Sequence, residues 1–194
     1  MTINIHIGNR MSLDGYQAMA ADGRLTKYDR IELLNGEIVA KRTPTPLRAN
    51  TICRLIMILR EWYKDDPGWF IQSRLPIALT VSQPEPDLSI ILGSFRKYSR
   101  RHPMAIEVAL VVEVADDLLE QHQGLRQNIY AQAGVPVYWI INLTDFVVEV
   151  YSQPVQVTMP HYADVQRLRG DDMLSIILAS TELCRFQVHQ LFPE

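Results

Sequence analysis

The segment Val108-Ala109-Leu110-Val111-Val112-Glu113-Val114-Ala115 sets one acid among seven apolar residues. A run like this reads as a central strand buried on both faces. An unpaired carboxylate there is costly, so Glu113 must be protonated, paired with a cation or bound to a metal. Upstream, Pro86-Asp87 opens a second apolar segment, Leu88-Ser89-Ile90-Ile91-Leu92. Two acids at the ends of neighbouring strands can share one divalent cation.

The flanking pattern supplies layers around that strand. Ser12 is an N-cap for a short helix to about Ala21, which Gly23 ends. Arg30 to Lys41 reads as a hairpin with Asn35-Gly36 as a type I′ turn. Parity then puts Ile31, Leu33 and Ile38 on one face and both Glu32 and Glu37 on the other. Thr43-Pro44-Thr45-Pro46 reads as a rigid connector. In Ala49 to Tyr63 the apolar residues Ile52, Leu55, Ile56, Leu59, Trp62 and Tyr63 recur at helical spacing, and Asp66-Pro67-Gly68 stops the helix. Phe70 to Leu79 reads as a strand at an edge or bulge, because Pro76 lies inside it. Asp87 to Leu92 and Glu107 to Ala115 are strands. Gln123 to Ala133 is a helix closed by Gly134. Val137 to Leu143 and Phe146 to Tyr151 form a hairpin, and the tail from Gln166 holds one or two short elements. This order predicts an α/β fold, a central mixed sheet flanked by helices.

The chain has 194 residues, which fits a single domain spanning 1–194. Its 47 % apolar content supports a full core. A net charge of −3 excludes a polycation, so any nucleic-acid contact must come from a local basic patch. Cys53 and Cys184 stand far apart in sequence and suggest neither a disulfide framework nor a zinc site. A reducing, cytoplasmic setting follows. No signal peptide is visible at the N-terminus, and no apolar stretch reaches the length of a membrane span.

Asp87 and Glu113, with the backbone carbonyl of Val114, make a half-cage suited to Mg²⁺, which binds carboxylates and keeps several waters. Such a metal activates water and offsets charge on a scissile phosphate. Read alone, Asp87 is also explained as a turn residue after Pro86, and the bland reading of Glu113, a buried partner of an arginine, is the weaker of the two. His122, Arg126 and Tyr130 are spaced four apart and share one helix face, from which Arg126 could point back at the acids. That spacing also describes an exposed charged face. Phe95-Arg96-Lys97-Tyr98-Ser99-Arg100-Arg101-His102 packs four cations and two aromatics between the two acid-bearing strands. It is either a nucleic-acid contact, a reading that its position beside the presumed site raises, or a solvated loop.

Several strings taken together resemble the Uma-two family. They are Glu32-Leu33-Leu34-Asn35-Gly36-Glu37-Ile38-Val39, Pro86-Asp87, Val111-Val112-Glu113-Val114, Tyr130-Ala131-Gln132-Ala133-Gly134-Val135, Val137-Tyr138-Trp139-Ile140-Ile141, Gly170-Asp171-Asp172-Met173-Leu174-Ser175 and Leu191-Phe192. Their order covers nearly the whole chain from about Ser12. The resemblance implies a PD-(D/E)XK endonuclease with the restriction-endonuclease-like fold. It implies Asp87 and Glu113 as metal-binding acids, with Glu37 completing the metal site and Glu32 as its competitor. The superfamily lysine would fall at Ala115. The family moves it to the helix position that Arg126 occupies here, which makes Arg126 the third catalytic candidate after Asp87 and Glu113. His122 stands where the family pattern has Asp, and Arg48 where it has His. Arginine keeps the charge but does not release a proton at neutral pH.

The expectation is a Mg²⁺- or Mn²⁺-dependent endonuclease acting on nucleic acid, DNA first, with no membrane association and with a homodimer for double-strand cutting. The rival expectation is a nuclease-fold module that has lost efficient catalysis and binds nucleic acid or a protein.

Overall fold

The computed structural model describes residues 10–26, 28–41, 43–63, 68–116, 119–178 and 180–193, with the side chains of 119–123 left aside. Helix α1 (Leu13–Ala21) starts as expected: the Ser12 hydroxyl accepts the Gly15 N–H at 3.1 Å. Strands β1 (Ile31–Leu34) and β2 (Glu37–Ala40) close through Asn35 and Gly36, both at positive φ (50° and 81°). A type I′ turn requires that combination.

Helix α2 (Pro46–Trp62) begins three residues before the expected start. Thr45 accepts the Arg48 N–H and Pro46 occupies the first turn, so the supposed connector is a helix cap. Strand β3 (Trp69–Gln72) stops well short of Leu79. Arg74 turns to φ 54° and Pro76 has no N–H to pair, which ends the ladder. Strands β4 (Leu88–Leu92) and β5 (Val108–Ala115) follow, then α3 (Leu119–Gln132), β6 (Val137–Asn142) and β7 (Val147–Val155). The tail is richer than expected: β8 (His161–Arg169), β9 (Met173–Leu178) and β10 (Thr181–Gln187).

Six strands form one sheet in the order β3-β4-β5-β6-β7-β8. Only β5 and β6 run parallel within it; the other neighbours are antiparallel. The parallel pair needs a crossover, which α3 supplies. The apolar run at 108–115 is therefore an interior strand, buried from Val108 to Val114.

Two cores lie on opposite faces. On one, Ile52, Leu55 and Leu59 of α2 pack with Leu110, Val112, Trp139 and Phe186. On the other, Ile129 and Tyr130 of α3 pack with Val111, Tyr138, Ile140 and the hairpin's Leu34. Strand alternation sends Val112 and Val114 to the first face and Val111 and Glu113 to the second. Glu113 thus points under α3. The β1–β2 hairpin docks through backbone bonds, with the Gln83 N–H on Leu33 O at 2.7 Å and the Gly36 N–H on Val81 O at 2.9 Å.

The basic loop does not stand beside the acids at its anchors. Asp87 enters β4 and Glu113 lies near the exit of β5, so residues 93–107 join the opposite ends of these strands. That is about five residues, or roughly 17 Å, along the sheet. Part of its charge is also committed. Glu107 takes both Nη groups of Arg101 at 2.7 Å, Lys97 Nζ at 2.7 Å and the Met104 N–H at 2.9 Å. These donors, Arg101 first, hold Glu107 well below the usual carboxylate range.

A carboxylate depressed in this way stabilises the fold fully above its unfolded value of 4.5, and the contribution fades as pH falls below that value. Glu107→Gln should therefore lower the urea midpoint at neutral pH. Its deficit against wild type should shrink once the pH drops below 4.5. A gap independent of pH would show that the ionised form is not what holds the loop.

Candidate active site

Five elements bring charged side chains together at one end of the β4–β5 pair. The register Leu88↔Val112 carries Asp87 alongside Glu113. Hairpin strand β1 adds Glu32, α2 adds Arg48 and α3 adds Arg126. The three acids are almost fully enclosed, Glu32 at 2 %, Asp87 at 3 % and Glu113 at 7 % exposure. Carboxylates this deep require counter-charge.

The arginines provide it from opposite faces of the sheet. Arg48 donates Nε (3.1 Å) and Nη2 (2.8 Å) to Asp87 Oδ2, and the Val114 N–H reaches the same oxygen at 2.8 Å. Arg126 donates Nη1 to Glu113 Oε1 at 2.9 Å and Nη2 to Glu32 Oε1. The Tyr130 hydroxyl also donates to Glu113 Oε1, at 2.8 Å. Burial pushes Glu113 above the usual carboxylate range; Arg126 opposes this, while Asp87 and Glu32 add to it. The crowding of like charges is thus only partly relieved by the arginine.

Which oxygens are engaged matters for a metal. Glu32 uses both: Oε1 on Arg126 and Oε2 on the Glu85 N–H at 3.1 Å. Asp87 and Glu113 each place all these contacts on one oxygen. Asp87 Oδ1 and Glu113 Oε2 have no partner among the described residues. No cluster of three or more His, Cys, Asp or Glu residues able to cage a metal forms among the described residues. Two open carboxylate oxygens still fit Mg²⁺, which is held by one or two carboxylates together with waters and substrate phosphate.

Of the sequence candidates, Asp87, Glu113 and Arg126 come together. Glu37 does not join them: it is exposed at the turn end of β2, whereas Glu32 is buried against Arg126. Both lie on one hairpin face, as parity requires. But Glu37 pairs with Leu34 and Glu32 with Val39, an offset of two residues, or about 7 Å. The His122 side chain lies outside the described residues. Sequence reasoning missed Lys41, whose ammonium pairs with Glu85 next to Glu32, and Asp116, which accepts the Thr45 hydroxyl. For Lys41 the signal was present. It continues the hairpin ladder, its N–H on Arg30 O at 2.7 Å, and so shares the face of Glu32.

Removing Arg126 strands two buried carboxylates. Arg126→Met should cost about 3–5 kcal/mol at neutral pH, read as a lower midpoint in denaturant. A loss within about 0.5 kcal/mol, the scale of a surface change, would mean that the triad is not holding the hairpin.

The comparisons agree with this architecture. A crystal structure from Anabaena variabilis ATCC 29413, described as "a putative nuclease belonging to DUF820", superposes with a TM-score of 0.69 at 13 % identity, covering 94 % of this chain and 97 % of that one. The two share the restriction-endonuclease-like fold. No functionally curated protein shows significant sequence similarity. The model of the Uma2 family, described as "Putative restriction endonuclease", matches residues 13–184. The acid pair at the end of β4 and β5 thus sits in a nuclease-like scaffold, and the chain belongs to the Uma2 family.

Proposed function

We propose that the chain is a divalent-metal-dependent endonuclease that hydrolyses phosphodiester bonds of DNA, with Mg²⁺ or Mn²⁺ as its ion. One observation carries this reading: Asp87 and Glu113 stand side by side, each with one oxygen fixed and the other without a partner among the described residues. A divalent cation there would activate water and offset the charge that builds on the scissile phosphate.

The chain's own residues set the geometry. The Val114 N–H and Arg48 orient the Asp87 carboxylate; Tyr130 and Arg126 orient that of Glu113. Glu32 fixes Arg126 in turn. The two guanidiniums bring positive charge to the region where phosphate charge develops. One site per chain makes one cut, so double-strand cleavage by this protein calls for a homodimer. The free thiols Cys53 and Cys184 fit a reducing cytoplasm.

A second reading has its own support. Arg126 stands where the resemblance expects a lysine, and each metal-site acid already has an arginine. A fold so arranged could bind nucleic acid without cutting it.

Plasmid and single-stranded DNA incubated with Mg²⁺, Mn²⁺ or EDTA separate the two. We expect metal-dependent cutting that falls by about 100-fold or more in Asp87→Ala and Glu113→Ala, the scale of a lost charge-stabilising group. Glu32→Gln should also impair cutting, while Glu37→Ala should change it by less than about tenfold. Retardation of DNA without cutting under any metal would establish the binding module instead.

A further inference from the structure

The two arginines are held in different ways, and the difference assigns them different work. Arg126 bridges two buried carboxylates, one on each terminal nitrogen. Pulling it away leaves Glu32 and Glu113 without a cation. Arg48 instead sets both of its bonds on one oxygen, Asp87 Oδ2. That oxygen keeps the Val114 N–H when Arg48 leaves. The third nitrogen of Arg48, Nη1, has no partner among the described residues, and 22 % of its side chain is exposed. Its backbone, by contrast, is pinned by the Thr45 cap and the proline at the helix start. A cation in the first turn of a helix opposes the helix dipole, so an anion beside it is favourable.

We propose that Arg48, and not Arg126, is the catalytic residue that touches the substrate. It swings from Asp87 to a non-bridging oxygen of the backbone phosphate, while Arg126 stays as the fixed counter-ion of the acids. Guanidinium suits that task, because its planar fork matches phosphate oxygens. This rests on the nuclease reading and names the phosphate contact within it.

Binding tests it without cleavage. A fluorescein-labelled DNA duplex is titrated with wild type, Arg48→Gln, Arg48→Lys, Asp87→Asn and the double variant Asp87→Asn/Arg48→Gln, all in EDTA across a salt series. Arg48→Gln should bind more weakly, and its salt slope should fall by about one, the signature of one lost phosphate contact. Arg48→Lys should restore the slope. Asp87→Asn frees Arg48 and should tighten binding, a gain absent from the double variant.

A merely structural role for Arg48 would lower the melting temperature and leave the slope unchanged; that result overturns the proposal. So does a gain in Asp87→Asn that survives in the double variant, which also covers the case of Arg48→Gln failing to fold. If wild type itself does not bind the duplex, the DNA nuclease reading fails, and this outcome is distinct from a wild type that binds with Arg48 unneeded.

Discussion

The ion triad Glu32–Arg126–Glu113 is the interaction on which the rest of the arrangement depends. It ties three elements that share no hydrogen-bonded ladder: the β1–β2 hairpin, the interior strand β5 and the crossover helix α3. Apolar packing alone brings Leu34 to Val111 and Tyr138. The triad adds direction, because a guanidinium serves two carboxylates only in one geometry. It also explains why a glutamate is tolerated in a strand that is otherwise apolar. The site is therefore not laid over a finished core; its charges are part of how the hairpin meets the sheet.

The same enclosure governs the electrostatics. Desolvation and neighbouring acids press Glu113 toward its neutral form, and one arginine only partly offsets them. A second cation is thus electrostatically welcome at the open oxygens of Asp87 and Glu113. The arginines hold the carboxylates together while only partly offsetting the charge around Glu113. At Asp87 and Glu113 the contacts among the described residues engage one oxygen per acid.

Much of this was legible in the residues. The apolar run gave away the interior strand, Asn35-Gly36 the hairpin turn and Ser12 the first cap. What escaped was decided by tertiary position. Glu32 and Glu37 share a face, and only depth along the hairpin separates a buried acid from an exposed one. Strand β8 was hidden because it is an edge carrying Asp164, Arg167 and Arg169, the charge that protects an unpaired edge from sticking. Arg48 falls between the expected connector and the expected helix, whereas Thr45 and Pro46 put it in the first turn of α2. The basic loop seemed to flank the acids because it lies between them in sequence, yet an antiparallel pair puts its link at the other end.

Glu32 and Arg126 are 94 residues apart in the chain. During synthesis the hairpin and Asp87 emerge long before the arginine that completes the cluster. A ribosome-bound fragment ending before α3 carries all three acids but not the guanidinium that bridges Glu32 and Glu113. The acids are thus synthesised first and their bridging cation later, so the cluster closes only as the crossover helix docks.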